Sequence, residues 1–221
     1  MIDTTKYKRI AVKVGSNVLT RQDGTLDVTR MSALVDQIAN LRKSGIEVIL
    51  ISSGAVACGR SELRHMSLGE LDTVDQRQLF SAVGQAKLMN RYYELFKEYG
   101  ISVGQVLTLK ESFSTERHYQ NQRNCMRVML QNGVLPIVNE NDTVSITELM
   151  FTDNDELSGL IATMMDVQAL FLLSNVDGIY NGPLDSPQSE IIRHVEAGRS
   201  LESYIQTSQS TFGRGGMQTK C

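Results

Sequence analysis

The chain is 221 residues long, 41% apolar and 21% charged, with a net charge of −3 and an isoelectric point near 5.7, which fits one substantial core and a single domain. Without a basic block or an aromatic-studded basic stripe, it offers nucleic acid no electrostatic footprint. No apolar run approaches the roughly 18 residues of a membrane span, and Met1–Arg9 lacks the hydrophobic region of a signal peptide, so a cytoplasmic protein with no membrane partner is expected.

The first apolar strand pattern, Ile10–Val14, carries Lys13 within it and runs into Gly15-Ser16. Met31, Leu34, Val35, Ile38 and Leu41 then keep helical spacing and stop at Gly45. A strand at Ile46–Ile51 leads into the turn Ser52-Ser53-Gly54-Ala55. Leu79, Val83, Ala86, Met89, Tyr93 and Phe96 repeat the helical period before Gly100. A strand at Val103–Leu107, a helix from Glu116 to Gly133 and a strand at Val134–Val138 make up the middle of the chain. Thr143–Phe151, near alternation at Val144, Ile146 and Leu149, reads as a short hairpin able to act as a lid. A helix opening at Leu157, a strand at Ala169–Leu173 and a loop at Asn181–Ser189 with Gly182, Pro183 and Pro187 follow. This alternation predicts an α/β fold: a three-layer α-β-α sandwich around a mainly parallel sheet, with ligands at the carboxyl ends of the strands.

Cys58, Cys125 and Cys221 form no Cys-x-x-Cys pair, and an odd number argues against a disulfide framework. His65, His118 and His194 lack the i, i+4 spacing of a metal-binding helix, so no side-chain metal site is expected. The informative residues are polar. Asn139-Glu140-Asn141-Asp142 ends one predicted strand, and Asp153-Asn154-Asp155-Glu156 caps the next predicted helix. Strand ends and helix N-termini are where α/β proteins hold ligands. Three glycine turns, at Gly15, at Gly54 and at Gly213–Lys220, offer backbone N–H groups to an anion, although none matches a Walker A loop or a dinucleotide fingerprint. Lys13 places an ammonium inside a buried-strand pattern, where an unpaired charge is costly, so it needs a partner anion.

These residues resemble the amino acid kinase family over essentially the whole chain. Ala11-Val12-Lys13-Val14-Gly15-Ser16-Asn17-Val18-Leu19 is similar to its opening strand and phosphate loop, and Ser52-Ser53-Gly54-Ala55-Val56-Ala57-Cys58-Gly59 to its second-strand turn. Ala82-Val83-Gly84-Gln85, Ile137 to Asp142, Asp153 to Ser158 and Leu173 to Tyr180 follow in family order. Gly15-Ser16, where aspartokinases and N-acetylglutamate kinases typically have a double glycine, resembles the glutamate-phosphorylating branch.

The resemblance implies transfer of the ATP γ-phosphoryl group to the side-chain carboxylate of L-glutamate, giving L-glutamyl 5-phosphate, the first step of proline biosynthesis. The acceptor is already ionised at neutral pH, so alignment and charge neutralisation suffice and no general base is required. By resemblance, Lys13 contacts the phosphoryl group from the acceptor side and Lys220 the β,γ-phosphates, with Asp155 orienting both lysines and Asp153 supporting the geometry. Ser53, Gly54, Asn139, Asp142 and Asn154 would hold glutamate, Asp142 taking its ammonium. Gly15, Ser16, Ser174, Asn175, Gly215, Gly216, Met217, Thr219 and Lys220 would line the ATP side, with Mg²⁺ held chiefly by phosphate oxygens and water.

Asn175, Arg214 and Thr152 depart from the family's usual residues. Lys220 should open a helix, yet only Cys221 follows, so residues 1–221 are expected to be a kinase domain lacking its C-terminal end and without the RNA-modification-enzyme-like PUA domain of many relatives. The resemblance further implies a homo-oligomer, a dimer or tetramer, proline feedback and handover to a glutamyl phosphate reductase. Two other readings remain open: a non-catalytic amino-acid or nucleotide sensor of the same fold, and a sibling kinase acting on aspartate, N-acetylglutamate or UMP.

Overall fold

The computed structural model describes residues 6–145, 153–182 and 188–196. Strands β1 (Arg9–Val14), β2 (Glu47–Ser52), β3 (Val103–Thr108), β4 (Leu135–Glu140) and β5 (Ala169–Leu173) form one sheet in the order β3-β4-β2-β1-β5. Every pairing is parallel. The helices are α1 (Ser16–Leu19), α2 (Val28–Lys43), α3 (Ala55–Glu62), α4 (Thr73–Lys97), α5 (Glu116–Gln131) and α6 (Asn154–Met164). This is the α/β architecture expected from the sequence. No helix among the described residues is long and apolar enough to cross a membrane.

Alternation along the strands builds two cores, one on each face of the sheet. Ile10, Val12, Val14, Val48, Leu50, Leu135 and Ile137 pack with α2 and α4 residues such as Met31, Ile38, Leu88, Tyr92 and Phe96. Ala11, Ile49, Ile51, Val106 and Val138 pack with Met126 and Leu130 of α5 and Leu157, Ile161 and Met164 of α6. Parallel strands covered on both faces read as unbroken apolar runs, and that is why they stand out in the sequence.

The bounds differ where polar residues join the ladder. β2 extends to Ser52 through Val14↔Ser52, and β4 to Glu140 through Leu107↔Asn139 and Thr108↔Glu140, beyond the apolar runs. The sequence pattern marks no helix at α1 or α3, whose residues are too few to show a period. α4 starts at Thr73, ahead of its apolar pattern, because the Asp72 side chain accepts from the N–H groups of Val74 and Asp75 at 2.8 Å. The hairpin expected at Thr143–Phe151 lies mostly outside the described residues, of which Thr143 forms part of a turn. The neck of the Asn181–Ser189 loop is held by an antiparallel bridge between Tyr180 and Ile191. Of the cysteines, Cys58 is buried and Cys125 exposed, both as free thiols, and Cys221 lies outside the described residues.

Candidate active site

The carboxyl ends of β1, β2, β4 and β5 open onto one cleft of ≈ 470 Å³. At its floor is Lys13. Alternation turns its side chain, like that of Ala11, toward the α5–α6 face, where the first turn of α6 supplies Asp155. Lys13 Nζ lies 2.7 Å from Asp155 Oδ1, with side chains 7% and 1% exposed. The charge predicted to need an anion therefore has one, and a pair so far from water is held together strongly. The α6 backbone that presents Asp155 is fixed by the Asp153 carboxylate, which accepts from the N–H groups of Asp155 at 2.9 Å and Glu156 at 3.1 Å. Asp153 is thus the helix cap that the sequence implies.

One wall is built from amides and hydroxyls. Gly54 ends the β2–α3 turn with φ at 104°, a left-handed conformation that suits glycine. Asn154 Nδ2 donates to Ser53 Oγ at 2.8 Å and to Asn139 Oδ1 at 2.9 Å. Asn139 Nδ2 in turn donates to Gln85 Oε1 at 3.0 Å. Behind them Ser52 Oγ and Tyr92 Oη share a buried 2.9 Å hydrogen bond, and burial pushes the Tyr92 phenol up from its ordinary range.

A second wall is ionic. Arg77, projecting from α4, donates from Nε to Asp142 Oδ1 at 2.9 Å and from a terminal nitrogen to Glu140 Oε2 at 3.1 Å. Ser145 Oγ donates to Glu140 Oε1 at 3.0 Å. Burial pushes the Asp142 carboxyl up, while Arg77 and a hydrogen bond to Glu140 pull it back. Asp142 therefore sits where the sequence places it, already engaged with a cation that the sequence pattern does not single out.

The remaining side carries Gly15, Ser16, Ser174 and Asn175. Gly15 N donates to Leu173 O at 3.2 Å, joining the ends of β1 and β5. A Cβ on Gly15 would lie 3.8 Å from Lys13 Nζ and 3.6 Å from Leu173 O, which places this turn in van der Waals contact with the ammonium. Hydroxyls, amides and backbone N–H groups here suit phosphate oxygens. No cluster of three or more His, Cys, Asp or Glu that could hold a metal occurs among the described residues.

Every sequence-predicted site residue within the described stretches lines this one cleft, from Lys13 to Asn175. Gly215, Gly216, Met217, Thr219 and Lys220 lie outside them. Sequence reasoning misses Arg77, which lines the cleft, and Gln85, which stands behind it on Asn139. A signal is present: Arg77, Ser81 and Gln85 recur at i, i+4 and i+8, a polar stripe on the face that α4 turns inward, and Ser81 and Gln85 are buried.

A family model described as the amino acid kinase family matches residues 8–221. The chain is 73% identical over 215 residues to a protein named glutamate 5-kinase from Bacteroides thetaiotaomicron, covering 97% of this chain and 59% of that protein. It is 49% identical over 216 residues to a glutamate 5-kinase of Chlorobaculum tepidum, at the same 97% and 59% coverage. Glutamate 5-kinase 2 of Bacillus subtilis is 40% identical over 222 residues, 100% of this chain and 59% of that protein. The chain thus spans 59% of the length of these curated relatives. Among solved structures, an isopentenyl phosphate kinase matches with a TM-score of 0.58 at 18% identity, over 82% of this chain and 78% of that one, a likeness of fold.

Proposed function

The chain belongs to the amino acid kinase family, and from that premise we propose that it transfers the γ-phosphoryl group of ATP to the side-chain carboxylate of L-glutamate. A carboxylate oxygen of glutamate would bond to the γ-phosphorus as the bond to the ADP oxygen breaks, with no proton to remove. The observation that carries the reading is the buried Lys13–Asp155 pair at the meeting point of two unlike walls. On one side stand amide, hydroxyl and acidic groups suited to an amino acid; on the other, a glycine-lined cradle suited to phosphates. His65, His118 and His194 are all exposed and none lines the cleft, so the described site is organised for alignment and charge stabilisation rather than histidine acid–base chemistry. The names of the relatives point to the same reaction.

On this reading Lys13 neutralises the transferring group, Asp155 fixes the lysine, and Ser53, Gly54, Asn139, Asp142 and Asn154 hold the amino acid. Gly15, Ser16, Ser174 and Asn175 hold the nucleotide, joined by Gly215, Gly216, Met217, Thr219 and Lys220. Mg²⁺ would arrive with the nucleotide, screening its phosphate oxygens and keeping part of its water shell. The acyl phosphate product hydrolyses readily, which makes a cytoplasmic glutamyl phosphate reductase its natural consumer.

ATP-dependent hydroxamate formation from glutamate and hydroxylamine tests the reaction, run beside aspartate, N-acetylglutamate and UMP with ADP as readout. Glutamate alone should support turnover; binding of both ligands without product would identify a sensor instead. Asp155→Asn should lower turnover by about 10²–10³-fold, the scale of losing one preorganised charge-stabilising contact. Parental turnover in that variant, with an unchanged circular dichroism spectrum, would remove Asp155 from the mechanism.

A further inference from the structure

Gln85 does not line the cleft, yet one hydrogen bond joins it to Asn139, which does, and a second links Asn139 to Asn154. It is 8% exposed, and its Oε1 accepts from Asn139 Nδ2 at 3.0 Å. Asn139 Oδ1 accepts from Asn154 Nδ2, which also reaches Ser53 Oγ. An amide side chain offers oxygen on one edge and N–H₂ on the other, and its terminal torsion is roughly two-fold, so partners decide which edge faces where. With its N–H₂ on Gln85, Asn139 must present oxygen to Asn154. If Asn139 turned over, its N–H₂ would oppose the N–H₂ of Asn154.

The acceptor on Gln85 comes with an unmet demand. Gln85 Nε2 is buried and has no hydrogen-bond partner among the described residues. Such a group is rare inside proteins and calls for a compensating role. The approach of α4 is also built in: a Cβ on the neighbouring Gly84 would fall 1.8 Å from Ala55 O, so only glycine lets α4 come this close to the start of α3.

We propose that Gln85 is a positioning residue for the amino-acid half of the cleft, setting the orientation of the Asn139 and Asn154 amides through its side-chain oxygen. The inference rests on the glutamate reading above, because Asn139 and Asn154 are the groups placed against the amino acid there. Gln85 would thereby set affinity for the acceptor without touching it, and leave the nucleotide side alone.

The test compares Gln85→Met, which keeps length and removes the acceptor, with Gln85→Glu, which keeps an acceptor oxygen. Steady-state kinetics on the intact protein, with glutamate binding by calorimetry in parallel, should show Gln85→Met raising the glutamate KM and Kd by about tenfold, the effect of one lost buried hydrogen bond. The ATP KM should stay within about twofold, since uniform binding energy is lost for one ligand only. Gln85→Glu should recover most of the glutamate affinity. A Met variant with parental glutamate affinity, equal rises in both KM values, or a Glu variant no better than Met would overturn the proposal. If the unaltered protein selects a different acidic acceptor, the glutamate reading falls, and the same split measured on that acceptor decides the role of Gln85.

Discussion

Arg77 stands against two carboxylates at the end of β4, and its removal would leave Glu140 and Asp142 facing each other out of water. The Asp142 carboxyl is already pushed up by burial and held back by Arg77. A carboxyl raised in the folded state contributes stability that is fully present below its unfolded pKa and is lost as pH rises through the folded value. Arg77→Met extends that loss upward in pH. We expect it to destabilise by about 3–5 kcal/mol near neutrality, as breaking other buried ion pairs does. Thermal melts should show the deficit shrinking as pH falls and the Asp142 carboxyl, raised by burial, takes up its proton. At this scale the sequence is legible for Lys13 and the two polar clusters, because a charge within an apolar strand and acids grouped at element ends are visible without a fold. Arg77 and Gln85 are harder, since a polar residue on a long helix becomes a site residue only when the helix packs against a particular strand end.

At the scale of elements, α3 and α4 touch backbone to backbone. A Cβ on Gly84 would meet Ala55 O at 1.8 Å and Gly59 N at 2.5 Å, and one on Gly59 would meet Phe80 O at 1.8 Å. Neither obstacle is a flexible side chain. Gly84→Ala should therefore cost about 3 kcal/mol or more through forced separation of the helices. Gly159 in α6 is the contrast, since a methyl group placed on its Cα would meet nothing within 4 Å among the described residues. Gly159→Ala should stabilise by about 0.5–1 kcal/mol through helix propensity alone. Denaturant titration of both variants separates packing from propensity. The strands and the longer helices α2, α4 and α5 can be read from periodicity, whereas α1 and α3 cannot: one is a single turn and the other hardly more than two, held in place by glycine turns and tertiary contacts.

For the whole molecule, the strand order β3-β4-β2-β1-β5 gathers the ends of β1, β2, β4 and β5 around one opening. The α/β class follows from alternating strands and helices, but this order does not, because pairing is settled by long-range packing that no local pattern reports. Ligands that bind only the folded state raise its stability by mass action. A non-hydrolysable ATP analogue with Mg²⁺, and glutamate, should each raise the melting temperature. At about 100 times Kd each would add about 2.7 kcal/mol. Failure of both together to shift the melt would count against a two-ligand cleft.

The glycine contact between α3 and α4 also bears on motion. Gly54 leads into the first helix and Arg77 and Gln85 ride on the second, so the elements proposed to hold the amino acid are welded into one stiff jaw. Backbone amides along the α3–α4 seam should accordingly be among the slowest in the protein to exchange with deuterium.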